Sequence, residues 1–135
     1  MTPTDFFTAE QKRRPIDITG VENAILDFLI RGSEADLQEL GLDKGIMKLV
    51  DTDEQAAILE HVGELEPEIE AGGSCANVLR VAARFGCRGS YSSAVGPDLN
   101  GSLFAKELEK VGVATRLAQV QGATGPSVFV VTPDG

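Results

Sequence analysis

The sequence predicts an α/β fold with a parallel sheet, because strand-like and helix-like segments alternate along the chain. The strand-like segments are short apolar runs or alternate apolar with polar residues, whereas the helix-like segments repeat apolar residues at helical spacing. Glycines follow several helix-like segments, as they commonly follow the last turn of a helix. This alternation is typical of sheets whose parallel strands are connected through helices.

The first half of the chain is predicted to hold a polar, flexible tail over residues 1–14, followed by several short elements. Ser33 is placed to cap a short helix that Gly41 closes. The predicted elements are strands over 16–21, 24–30, 45–50 and 67–71 and helices over 34–40 and 51–62.

The second half of the chain begins with Gly72-Gly73-Ser74, which separates a strand from a helix. Asp98 is the natural N-cap of a later amphipathic helix. The predicted elements are helices over 75–85 and 99–111 and strands over 88–95, 113–120 and 127–132. Pro133-Asp134-Gly135 is typical of the start of a hairpin turn, so we expect the chain to be a fragment of a longer domain.

Composition and charge exclude several classes of protein. The chain has 135 residues, of which 42% are hydrophobic, and this is enough for one globular core. Its 12 basic and 21 acidic residues give a net charge of −9, which disfavours binding to nucleic-acid phosphates. No apolar segment is long enough to cross a bilayer and no signal peptide is recognisable, so we expect a cytoplasmic protein without membrane contact.

The cysteine and histidine content predicts no metal site. Cys75 and Cys87 do not have the spacing of a metal-binding pair, and His61 is the only histidine. A single histidine also excludes an ordinary His-based metal site. We therefore expect both cysteines to be free thiols in a reducing compartment.

Three further patterns have structural interpretations. The acidic segment over residues 51–70 contains no Lys or Arg and is interpreted as a solvated helix face and loop. Arg80 and Arg84 form a basic stripe, which is interpreted as a solvated face paired with that acidic segment. The segment from Gly96 to Gly101 is interpreted as a tight turn that caps a helix.

Gly72-Gly73-Ser74 with Asn77 is the strongest local signal for a binding site. A glycine pair lets the backbone approach a ligand closely. Ser74 can cap the following helix, whose first N–H groups attract oxygen atoms. Asn77 adds a donor and an acceptor, which suit a sugar hydroxyl. The alternative is a tight strand–helix turn that leaves Asn77 exposed.

Asn23 and Asp27 form a second candidate site, at the end of the first strand and inside the next apolar run. A carboxylate buried among apolar residues 24–30 without a partner is costly, so Asp27 either faces water or holds a ligand. A carboxylate can accept two hydrogen bonds from a vicinal diol. The alternative is that Asp27 lies on the solvated side of an alternating strand.

Taken together, these motifs resemble the PfkB/ribokinase family of carbohydrate kinases over residues 16–135. Gly72-Gly73-Ser-x-x-Asn77 and the helix after it resemble the first family signature, and Gly96-Pro97-Asp98-x-x-Gly101 resembles the next block. Thr124-Gly125 before the last strand resembles a further block. The segments from Gly20 to Asp27 and from Lys44 to Asp51 are similar to the adenosine kinase-like branch.

The resemblance implies a fold, a reaction and a set of substrate-binding residues. The fold is the N-terminal part of a ribokinase-like three-layer α/β sandwich, with a small β lid formed near 26–30, 45–50, 66–71 and Val128. The reaction is transfer of the γ-phosphoryl group of Mg-ATP to a primary hydroxyl of a sugar or nucleoside. By analogy, the residues that bind this small-molecule substrate are Asn23, Asp27, Gly72, Gly73 and Asn77.

The family's Gly-Ala-Gly-Asp block, which supplies the catalytic base and the anion hole, does not occur in the sequence. We therefore expect residues 15–135 to be the sugar-binding part of a longer enzyme that uses ATP and Mg²⁺. The 135-residue chain itself is expected to have no catalytic residue, to bind no cofactor or metal, and to be inactive.

The same observations leave two alternative functions to consider and predict self-association of the chain. The chain could instead be a non-catalytic sugar-binding or interaction module. A dinucleotide-binding fold is disfavoured because no Gly-rich turn follows the first strand. An unfinished sheet leaves strand edges open, so we expect a homodimer or larger species, joined through the lid or the apolar strand at 128–131.

Overall fold

A computed structural model describes residues 15–134, so the predicted tail over residues 1–14 lies outside the described residues. The strands are β1 (Ile18–Val21), β2 (Ile25–Arg31), β3 (Glu68–Gly72), β4 (Gly89–Val95), β5 (Ala114–Gln119) and β6 (Gly125–Val131). The helices are α1 (Glu34–Glu39), α2 (Thr52–Glu64), α3 (Ser74–Arg84) and α4 (Leu99–Lys110). None of these helices is long and apolar enough to span a bilayer.

The strands form two three-stranded sheets. In the first sheet the order is β1-β4-β5, and both pairs of neighbours are parallel, as the alternation of strands and helices predicts. In the second sheet the order is β3-β2-β6. The described chain divides into two compact units, one of residues 15–27 and 70–127 and the other of residues 28–69 and 128–134.

The first unit is built around the parallel sheet. Helix α3 packs on β1 and β4, and α4 packs on β5. Leu79 of α3 and Phe104 of α4 are both fully buried. The ring of Phe104 lies 5.2 Å from the ring of the buried Tyr91 on β4, with the planes tilted by 54°. These contacts give α3, which begins at the glycine pair, a fixed position on the sheet.

The second unit contains α1 and α2, and its core includes Ile30, Ile58 and Val62. Ser33 caps α1 as expected, in a reciprocal arrangement with Asp36. The prediction of a strand over residues 45–50 is wrong, because this segment is irregular and almost entirely exposed. A strand needs a neighbour for its backbone groups, and no strand of the described chain pairs with this segment.

The turn between β4 and α4 is tied to the segment before β6 by one carboxylate. Asp98 caps α4 as expected, since its Oδ1 accepts a hydrogen bond of 2.8 Å from the N–H of Gly101. The same carboxylate accepts hydrogen bonds from the N–H and the hydroxyl of Thr124, at 2.7 and 2.8 Å. The Thr124 hydroxyl in turn accepts one from the N–H of Gly96, at 3.0 Å. The structural interpretation of this motif is therefore confirmed.

Replacement of Thr124 by valine will lower the free energy of unfolding by about 1–3 kcal/mol, because it leaves buried hydrogen-bonding groups without a partner. Thr124 is 3% exposed and valine has nearly the same shape, so packing changes little. Urea denaturation measures the effect. Thr19→Val, at an exposed position of β1, serves as the control. Equal stability of the two variants would contradict the prediction.

Candidate functional site

The glycine pair lies between β3 and α3, and its first member lies directly against Asp27. A Cβ atom at Gly72 would be 2.2 Å from the carboxylate carbon and both carboxylate oxygens of Asp27. Real Cβ contacts are never this short, so a side chain at this position would displace the carboxylate. The sequence therefore needs glycine at 72 because Asp27 occupies the adjacent space on the neighbouring strand β2.

The second glycine lies against a different carboxylate, that of Glu22. Gly73 has φ +93°, a conformation that L side chains rarely adopt, and a Cβ there would be 2.5 Å from Glu22 Oε2. Glu22 Oε1 accepts a hydrogen bond of 2.9 Å from the Ser74 hydroxyl, and Oε2 accepts one of 3.0 Å from the N–H of Cys75. Glu22 thus satisfies an N–H group of the first turn of α3 from a distant part of the chain.

The expectation that Ser74 caps α3 is wrong. The N-cap position is Gly73, which has no side chain to accept a hydrogen bond, and Ser74 is the first helical residue. The hydroxyl of Ser74 donates to Glu22 instead of accepting from the helix backbone. The capping group is therefore an acceptor from the loop between β1 and β2.

Asp27 is half-buried, and the groups around it act on its charge in opposite directions. Burial is the main cause that raises the pKa of its carboxyl, and the negative charge of Glu70 raises it further. The positive charge of Arg80 opposes both effects. No residue in the described part of the chain, Arg80 included, donates a hydrogen bond to this carboxylate, so its oxygens are available to a ligand or to water.

Arg80 fixes the end of β3 that leads into the glycine pair. Its Nη1 lies 2.8 Å from Glu70 Oε2 and donates a hydrogen bond of 3.3 Å to the carbonyl oxygen of Ala71. The predicted pairing of Arg80 with the acidic segment is confirmed by this contact with Glu70. Its side chain is only 18% exposed, however, so Arg80 does not lie on a solvated face. The guanidinium therefore holds the backbone just before Gly72.

Asn23 and Asn77 lie on the two backbone segments that meet at this turn. The buried hydroxyl of Tyr91 donates a hydrogen bond of 3.0 Å to the carbonyl oxygen of Asn23 and so fixes its backbone. Asn77 lies in the first turn of α3, where its N–H bonds to the carbonyl oxygen of Gly73. Both asparagine side chains are exposed.

The structure thus brings Asp27 into contact with Gly72 and places Gly73 and Asn77 on the same turn, all within the first unit. Whether the five predicted residues bind a substrate stays a prediction. Sequence reasoning missed Glu22, although an acid beside Asn23 at the end of a strand was a visible signal. It also missed the role of Arg80, because its contact with the Ala71 carbonyl has no signature in the sequence.

Chemically, the site offers an unpartnered carboxylate, exposed amide groups and backbone close to Gly72, which together suit hydroxyl groups. Residues 15–134 contain no cluster of three His, Cys, Asp or Glu side chains that could hold a metal ion. Cys75 and Cys87 are both free thiols, as expected.

Two shallow grooves lie elsewhere and are less suited to hydroxyl recognition. One, of about 340 Å³, lies in the second unit and is lined by residues that include Glu39, Ile58 and His61. The other, of about 320 Å³, lies beside Asp98 in the first unit. The oxygens of Asp98 are already occupied by backbone and hydroxyl donors, whereas those of Asp27 are not. We therefore place the candidate site at the glycine pair.

Residues 43–135 match the family described as pfkB family carbohydrate kinase. No curated protein matches the sequence significantly.

Solved structures with the same fold include adenosine kinases and a sugar kinase. The adenosine kinase from Sinorhizobium meliloti is 29% identical, with a TM-score of 0.72, over 89% of this chain and 37% of the other. The probable sugar kinase from Rhizobium etli is 26% identical, with a TM-score of 0.64, over 89% of this chain and 36% of the other. The adenosine kinase from Trypanosoma brucei brucei is 22% identical, with a TM-score of 0.78, over 87% and 38%.

These matches confirm the predicted ribokinase-like α/β fold class. The chain spans little more than a third of the length of these relatives. The second sheet includes three of the four segments predicted for the lid, and only 45–50 is not a strand.

Replacement of Gly72 by alanine will destabilise the chain by about 1–3 kcal/mol, because the new methyl group collides with the Asp27 carboxylate. The penalty will be smaller in the background of Asp27→Ala, so a double-mutant cycle will show coupling between the two positions. Urea denaturation provides the four free energies of unfolding.

Gly63→Ala is the matched control for this cycle, because Gly63 lies inside α2 and a Cβ there has no neighbour within 4 Å. It is expected to stabilise by about 0.5–1 kcal/mol. Additive effects at positions 27 and 72 would show that the carboxylate is not what requires glycine.

Tyr91 will ionise at a higher pH in the folded chain than in the unfolded chain. Burial, followed by the negative charges of Glu22 and Cys75, raises the pKa of Tyr91 from 10.0 to about 12. Because the pKa of Tyr91 is higher in the folded chain, the neutral Tyr91 hydroxyl contributes fully to stability below pH 10. This contribution is lost as the pH rises towards 12.

Tyr91 is the only tyrosine, so the absorbance of tyrosinate reports it without ambiguity. The titration is compared in buffer and in concentrated urea. A single midpoint near pH 10 under both conditions, with the chain still folded in buffer, would contradict the burial of the hydroxyl.

Proposed function

The chain belongs to the pfkB family of carbohydrate kinases, and on this premise we propose that residues 15–135 form the sugar-binding, N-terminal part of an ATP-dependent kinase. The kinase transfers the γ-phosphoryl group to a primary hydroxyl of a sugar or nucleoside. The observation that carries the proposal is the Asp27 carboxylate, which lies against the backbone of Gly72 and is free to accept hydrogen bonds.

In this proposal the site binds the hydroxyl groups of the substrate. Asp27 accepts hydrogen bonds from a vicinal diol, and the absence of a side chain at Gly72 lets the substrate approach the backbone. Asn77, one helical turn from Gly73, provides one more donor and one more acceptor. Asn23 supports the pocket through a backbone that Tyr91 holds in place.

A nucleoside is the first substrate to test. The relative from Sinorhizobium meliloti, at 29% identity, is an adenosine kinase, and the one from Rhizobium etli is a probable sugar kinase. Both substrate classes carry a vicinal diol on a sugar ring, which is the group that Asp27 is proposed to bind.

The rest of the kinase machinery is proposed to lie outside this chain. Phosphoryl transfer needs positioned phosphates, a metal ion and a base for the attacking hydroxyl. Supporting this division, the chain spans 37% of the adenosine kinase from Sinorhizobium meliloti, and the family's Gly-Ala-Gly-Asp block does not occur in the sequence. ATP and Mg²⁺ are therefore proposed as requirements of the longer enzyme.

The second candidate function is a non-catalytic sugar-binding or interaction module, and the absence of the family's Gly-Ala-Gly-Asp block from the sequence favours it. A cytoplasmic location and self-association through the lid or residues 128–131 stay predictions. Sedimentation at about 100 µM, where a complex of micromolar affinity would be populated, tests the self-association.

Asp27→Asn will weaken binding of adenosine or ribose about tenfold or more, because an amide presents one acceptor oxygen in place of two and adds a donor. Binding is measured by isothermal titration calorimetry on the 135-residue chain. Asp43→Asn, at an exposed position of the second unit, is the control and should bind as the unaltered chain does. Equal affinity of the two variants would remove Asp27 from the site.

The 135-residue chain will not phosphorylate ribose, fructose or adenosine with Mg-ATP, because it lacks a base and an anion hole for the transferred group. Radiolabelled ATP detects any transfer. Turnover by the purified chain would refute the proposed division of the machinery. A longer gene product with no turnover and no substrate binding across this panel would refute the kinase function itself.

A further inference from the structure

The two carboxylates at the glycine pair differ in their hydrogen bonding. Glu22 is engaged by the Ser74 hydroxyl at 2.9 Å and by the Cys75 N–H at 3.0 Å. Asp27 receives no such bond from residues 15–134. One carboxylate is therefore part of the framework of the turn, and the other remains free for hydroxyl groups.

The charge around the turn is negative. Neither Glu22 nor Asp27 forms an ion pair with a residue in the described part of the chain. The basic group that acts on Asp27, Arg80, is itself paired with the carboxylate of Glu70. A negatively charged ligand at the turn would therefore be repelled by two carboxylates, neither of which is paired with a cation in the described part of the chain.

From this arrangement, and resting on the proposed function, we propose that Glu22 determines substrate specificity. Its carboxylate takes the place that an anion would occupy at the first turn of α3. The site consequently accepts uncharged polyhydroxyl ligands and rejects phosphorylated ones.

The physical basis is competition for the same donor groups. The first N–H groups of a helix attract anions, both through hydrogen bonding and through the helix dipole. Here the Cys75 N–H already donates to Glu22, and Gly73 lacks the side chain that would push this carboxylate away. A phosphate would have to displace Glu22 and would be repelled by it, whereas a neutral hydroxyl can donate to Asp27 and leaves Glu22 undisturbed.

The test is a nuclear magnetic resonance titration of the ¹⁵N-labelled 135-residue chain, which follows the backbone amides from Gly72 to Asn77. The probes are ribose, ribose 5-phosphate and inorganic phosphate, each added to the unaltered chain, to Glu22→Gln and to Glu22→Ala. Glu107→Gln removes the same charge from α4 and is the matched control. The amide spectrum of each variant reports whether it remains folded.

In the unaltered chain and in Glu107→Gln, ribose is expected to bind at least about tenfold more tightly than ribose 5-phosphate, and inorganic phosphate is expected not to shift these amides. In both Glu22 variants the preference for ribose should shrink about tenfold or more, and inorganic phosphate should shift the amides of Ser74 to Asn77. The use of two variants guards against one of them failing to fold.

The phosphate titrations decide the inference independently of the proposed function. Equal phosphate binding in the unaltered chain and the Glu22 variants overturns it, and so does the absence of phosphate binding in all of them. If ribose fails to bind while the Glu22 variants gain phosphate binding, the proposed function fails and the exclusion of anions by Glu22 stands.

Discussion

The turn from β3 into α3 depends on the contact between two glycines and two carboxylates. Gly72 leaves room for Asp27 on β2, and Gly73 leaves room for Glu22 in the loop between β1 and β2, both far earlier in the chain. Glu22 also satisfies an N–H group at the start of α3, so the helix begins where the first loop of the chain supplies an acceptor. Long-range packing therefore requires glycine at both positions, and the local backbone conformation requires it at Gly73 as well.

Arg80 connects this turn to the electrostatics of the site. Its guanidinium holds the Ala71 carbonyl and the Glu70 carboxylate, and its charge opposes the burial that raises the pKa of Asp27. Hydrogen bonds from Arg80 are also the main cause of the lowered pKa of Glu70. Ionisation makes both oxygens of Asp27 acceptors, and the charge of Arg80 favours the ionised form, so Arg80 supports the proposed role of Asp27 through its charge.

The alternation of strands and helices was sufficient to predict the parallel sheet, and the caps at Ser33 and Asp98 followed from residue type alone. The strand predicted over 45–50 was wrong because apolar residues indicate a strand only if another strand covers them. The contact between Gly72 and Asp27 joins positions far apart in sequence, and no sequence pattern indicates that two such positions are close in space. For the same reason, the sequence predicted that Ser74 caps the helix, whereas its hydroxyl donates a hydrogen bond to Glu22.

All the residues proposed to bind or support a ligand belong to the first unit, in which α3 packs directly on the parallel sheet. Their positions are set by hydrogen bonds within this unit, from Tyr91 to Asn23, from Arg80 to Ala71 and from Cys75 to Glu22. In the proposed function, the backbone around the site is therefore held in place by contacts within this unit. If this site binds a ligand as proposed, little free energy is lost in ordering that backbone, and the proposed preference among ligands depends on the charges of Glu22 and Asp27.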